Sequence, residues 1–149
     1  MEIEENTSGM YLFSRKEYDN FIKNFSESDL ELLEIIFYYI SLSNIPEFIL
    51  KMNKIKILLF YGGKISFLTE EFCNIKSLMT VKFSSNIKYI PYNFGNLINL
   101  KIFCLHIEHT PIYIDFPLYK MKNLCFWENC YKDQIAFRNV KTKTICLFV

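Results

Sequence analysis

Residues 86–105, NIKYIPYNFGNLINLKIFCL, place apolar side chains at Phe94, Leu97, Leu100, Phe103 and Leu105. Spacings of three, three, three and then two fit neither one helix nor one strand; they predict a helical turn that feeds a strand. Stepping outward from the closing pair Phe103/Leu105 finds the same apolar-x-apolar pair at Ile35/Phe37, Leu58/Phe60, Val81/Phe83, Leu124/Phe126 and Ile145/Leu147. The pair advances by 23, 23, 22, 21 and 21 residues, a period that means stacked repeats. An apolar residue stands three positions before each pair (Leu32, Ile55, Leu78, Leu100, Met121), except in the last unit, where Thr142 stands. One such unit cannot bury its own apolar side chains, whereas stacked units bury a continuous core.

The strand segments LMTVKFSSN (78–86) and MKNLCFWEN (121–129) resemble the L-x-x-L-x-L-x-x-N signature of the leucine-rich repeat family. LSNIP (42–46), KYIP (88–91) and HTPI (109–112) are similar to its L-x-x-L-P turn. Ile49/Met52/Ile55, Phe72/Ile75/Leu78 and Phe94/Leu97/Leu100 repeat the helical spacing of its short intracellular subtype of 22 to 24 residues. The resemblance covers residues 26–149, about six repeats. It implies an α/β fold: a right-handed leucine-rich-repeat solenoid, with a parallel β-sheet on the concave face and short helices or turns on the convex face. Ile40, Gly63 and Glu108 stand where the family carries Asn, so an Asn ladder of hydrogen bonds is incomplete here.

Residues 1–25 form a separate N-terminal segment. Ser14 and Glu17 make a capping box, and Tyr18, Phe21, Ile22 and Phe25 follow at i, i+3, i+4 and i+7, which predicts a helix capping the first repeat. The last strand, KTICLFV (143–149), has no comparable cover, so its edge is expected to pair with another copy or to need an unusual cap.

With 17 basic and 16 acidic residues the chain of 149 has no field to recruit nucleic acid or anionic lipid. No apolar run approaches the roughly 20 residues that span a bilayer. The acidic, polar start MEIEENTSGMYLF does not read as a signal peptide, and five cysteines at irregular spacing read as reduced thiols. Asn6-Thr7-Ser8 and Asn24-Phe25-Ser26 match the glycosylation pattern, as Asn-rich sequence does by chance. A cytoplasmic protein is expected, with no membrane and no nucleic-acid partner.

The repeat phase also gives the outward column of each strand, because side chains alternate across a sheet. Between the apolar pairs stand Ile36, Leu59, Lys82, Cys104, Cys125 and Cys146; just after them stand Tyr38, Tyr61, Ser84, His106, Trp127 and Phe148. Aromatic side chains dominate the second column, where a merely solvated face would be polar. Tyr and Trp are enriched where partners bind. The expected site is therefore Tyr38, Tyr61, Lys82, His106 and Trp127, binding a protein or peptide. A competing reading has the chain's own N-terminus partly covering this stripe.

Cys104, Cys125 and Cys146 are expected to stack on adjacent strands with His106 diagonal to them. A flat line of ligands does not suit the tetrahedron zinc prefers, so no metal and no cofactor is expected. His109 falls past the strand and does not share a site with His106. Gly62-Gly63 is the only glycine pair, too little for a phosphate loop, and the N-terminal carboxylates Glu27, Asp29, Glu31 and Glu34 read as a solvated cap. Nothing assembles a nucleophile with a base, so no enzyme is expected. The leading expectation is a non-catalytic interaction module; the alternative is a structural repeat protein that self-associates through its C-terminal edge strand.

Overall fold

The computed structural model describes residues 8–85 and 87–104 in full, and beyond them the strand backbone at 105, 112–114, 125–127, 135–137 and 146–148. Its frame is a parallel sheet of seven strands: β1 (Gly9–Leu12), β2 (Glu34–Tyr38), β3 (Ile57–Tyr61), β4 (Thr80–Phe83), β6 (Ile102–Leu105), β8 (Cys125–Trp127) and β10 (Cys146–Phe148), side by side in that order. Three short strands, β5 (Tyr89–Ile90), β7 (Ile112–Ile114) and β9 (Ile135–Phe137), form a second parallel sheet. Register runs Met10↔Ile35↔Leu58↔Val81↔Phe103↔Phe126↔Leu147, so each strand sits 21 to 25 residues beyond its neighbour.

One backbone device repeats with the strands. The carbonyl of Ser8 accepts the N–H groups of Leu33 and Glu34, and that of Leu33 accepts those of Lys56 and Ile57. The Lys56 carbonyl does the same for Met79 and Thr80, and the Met79 carbonyl for Lys101 and Ile102. Buried amides need partners, and here each unit supplies them to the next at the same place. Because the series begins at Ser8, β1 is a member of the array rather than an appendage.

The apolar pairs face inward. Ile35, Phe37, Leu58, Phe60, Val81, Phe83 and Phe103 are all at most 2% exposed. Phe37 lies flat on Phe60 at 4.6 Å and Phe60 on Phe83 at 5.1 Å, the ring spacing being set by the roughly 4.8 Å between strands. Opposite them, Ile49/Met52/Ile55, Phe72/Ile75/Leu78 and Phe94/Leu97/Leu100 are buried as their spacing predicts. Their backbone is short: helix α2 (Glu47–Leu50), then single 3-10 turns at Phe72–Asn74 and Tyr92–Asn96. Pro46 and Pro91 stand just before the first and last of these, where a missing N–H costs nothing.

Helix α1 (Arg15–Asn24) forms where the capping residues predict. Ser14 Oγ accepts the Glu17 N–H, while the Glu17 carboxylate accepts the N–H of Phe13 (2.8 Å) and the Ser14 hydroxyl (3.1 Å). Phe21 is buried against Phe48 and Phe25, and Tyr18 meets Phe37. Ile22, expected on the same apolar face, is instead exposed beside Pro46 and Lys51.

The register corrects one expectation. Cys125 lies beside Cys146 as predicted, but β8 meets β6 two residues out of the expected phase: Ile102 opposes Cys125 and Cys104 opposes Trp127. Cys104, Cys125 and Cys146 therefore do not form one column. A slip of two residues leaves every side chain on its original face, so apolar periodicity cannot tell the two registers apart.

Candidate functional site

On the outer face of the seven-stranded sheet the residues alternating with the core are Tyr11, Glu34, Ile36, Tyr38, Ile57, Leu59, Tyr61, Thr80 and Lys82. Tyr38 and Tyr61 are register partners, and their rings stack at 5.2 Å with planes 10° apart. Phe13, just past β1, extends this row. Its ring lies on Tyr38 at 4.7 Å and 7°, with its own surface 61% exposed. At the other end the Lys82 ammonium sits 5.0 Å from the centre of the Tyr61 ring, a cation–π contact. The result is one stacked line, Phe13–Tyr38–Tyr61, closed by a cation.

Stacking uses up ring faces. Within the line each tyrosine shows solvent its edge and hydroxyl, which are the electropositive rim and a hydrogen-bonding group. Below it, Tyr11 donates its hydroxyl to Glu34 Oε2 at 3.0 Å, and that hydrogen bond to a carboxylate holds the phenol proton more firmly than usual. Ile36, Ile57 and Leu59 provide an apolar bed between the polar groups, with Ile36 already buried.

The sheet thus brings together Tyr38, Tyr61 and Lys82 of the predicted site. His106 lies outside the described residues. Trp127 is in β8, but its register partner is Cys104, which belongs to the Lys82 row, so it does not continue the Tyr38/Tyr61 row as expected. Phe13 was missed because it precedes the first recognisable unit; the alternation in MYLF, with Met10 and Leu12 inward and Tyr11 and Phe13 outward, is the signal that would have found it. Through its stack on Tyr38, Phe13 lengthens the stripe by one ring.

Cys73, set apart from this face, is fully buried and donates to the Thr69 carbonyl at 3.4 Å. Burial first, then the Glu70 and Glu71 carboxylates, push its thiol up to about 12, so it has no nucleophilic character at neutral pH. Among the described residues no three His, Cys, Asp or Glu side chains converge as a metal site, and no helix is long and apolar enough to cross a membrane. No family model and no curated protein matches the chain.

Proposed function

We propose that the chain is a leucine-rich-repeat solenoid acting as a non-catalytic interaction module, and that it binds a protein or peptide on the outer face of its long sheet. The parallel order and the repeating carbonyl staple support the repeat reading. The observation that carries the functional reading is the stacked line Phe13–Tyr38–Tyr61 with Lys82 at its end. Preorganised aromatic side chains lose little entropy on binding and bury much area, which is what an interface anchor requires.

A Tyr38→Ser/Tyr61→Ser double variant tests this. It removes the inner rungs while leaving every core side chain in place, so the fold is expected to persist by circular dichroism. Capture of a partner from the source lysate should fall by about tenfold or more, as expected when two interface anchors are truncated. Undiminished capture by the folded variant would overturn the proposal.

A further inference from the structure

Strand β1 ends the seven-stranded sheet, so one of its edges has no neighbouring strand among the described residues. Which groups lie on that edge follows from the ladder. In a parallel pair alternate residues turn both N–H and C=O to the neighbour, and the Ser8 carbonyl bonds to β2. Met10 and Leu12 share that direction; Gly9 and Tyr11 point the other way. Phe13 follows the same alternation, and its N–H, aimed off the sheet, is taken by Glu17. Among the described residues nothing bonds the Gly9 or Tyr11 backbone on the outer side.

That edge opens on a cavity of about 320 Å3. One wall is Met10, Tyr11 and Leu12. The other is the face of α1 that carries Glu17, Asn20, Phe21 and Asn24, with Asp29 beyond it. This volume is at the small end of ligand clefts, room for a few side chains of an extended chain. Its acidic side chains, Glu17 and Asp29, have no basic residue beside them in the lining. Above the cavity, on the outer face, the free side of the Phe13 ring is where another rung of the aromatic line would stack.

We propose that β1 accepts an extended strand of a partner protein, which alternates aromatic side chains outward against Phe13 with basic side chains inward toward Glu17 and Asp29. Main-chain pairing to Gly9 and Tyr11 supplies affinity, and the alternate side chains supply specificity. This surface adjoins the tyrosine line at Phe13, and its main-chain contacts and cavity are its own. The chain's own leader MEIEENT is a poor occupant, because its Glu2, Glu4 and Glu5 would meet two further carboxylates.

The probe is the fluorescein-labelled peptide acetyl-Lys-Phe-Val-Phe-Lys-Ser, titrated against the full chain by anisotropy. Two further versions are N-methylated at alternate residues. The version methylated on the side facing β1 should bind about tenfold more weakly, from the loss of two or three backbone hydrogen bonds, while the other should bind as the parent does. Replacing both peptide lysines by glutamate should also weaken binding about tenfold or more. Tyr11→Pro removes an N–H that β2 does not use and should lower affinity roughly fivefold. Absence of binding, equal behaviour of the two methylated peptides, or loss on Tyr61→Ser but not on Tyr11→Pro would each overturn the proposal. So would binding that emerges only when residues 1–7 are removed, since the edge would then belong to the chain itself. The tyrosine-line reading stands or falls separately, on the serine double variant.

Discussion

At the residue scale, two positions show how the turn and the core constrain chemistry. Gly62 and Gly63 leave β3 with φ of +85° and +102°, and a Cβ on Gly62 would lie 3.3 Å from Tyr39 Cα. Tyr39 itself has φ of 53°, so two left-handed residues on adjacent strands meet at this corner. Gly62→Ala is therefore expected to cost about 1–3 kcal/mol, read as a lower midpoint in urea denaturation. Cys73 makes the second case. Its folded-state ionisation is raised to about 12, above the ~8.5 of an unfolded thiol. The folded chain holds that proton more tightly, so this contribution to stability is fully present below about pH 8.5 and is lost as pH rises toward 12. Between pH 7 and 10.5 the urea midpoint of the wild type should fall further than that of Cys73→Ala. Parallel curves would show that the thiol does not couple to folding.

At the scale of elements, the strands β2, β3, β4 and β6 are legible in the sequence because each carries an apolar pair, and a turn of matching spacing precedes each of the last three. Strand β1 is not, since four residues after an acidic leader give too short a pattern. The second sheet is not either: β5, β7 and β9 have two or three residues each, below the length at which alternation means anything. β8 is legible in face but not in register. Its Cα partners place Cys125 opposite Cys146 and Trp127 opposite Cys104. Neighbouring strands lie about 4.8 Å apart, within disulfide reach. Mild oxidation followed by peptide mapping should therefore link Cys125 with Cys146 and leave Cys104 reduced. A Cys104–Cys125 link would restore the phase that simple periodicity suggests.

At the scale of the whole molecule, the sequence reading located the outer-face tyrosines and Lys82 because face follows from parity, and parity survives an error of two residues. It could not show that these side chains stack on one another, since stacking depends on rotamers as well as on strand spacing. Nor could it reveal the β1 edge, which exists only because a strand precedes the first full unit. The long sheet carries aromatic stacks on both faces, Phe37–Phe60–Phe83 inside and Phe13–Tyr38–Tyr61 outside, one fixed by burial and the other by neighbours.

The carbonyl staple running from Ser8 through Leu33 and Lys56 to Met79 has a consequence for how such a chain can change. From Ser8 to Ile102 each unit greets the next with the same handshake, and among the described residues none bonds through it to a unit two places away. A duplication or loss of one unit far down the array would thus disturb only the joint where it occurs. Lineages could lengthen or shorten the later units while the first three, which hold the tyrosines and the open edge, stay as they are.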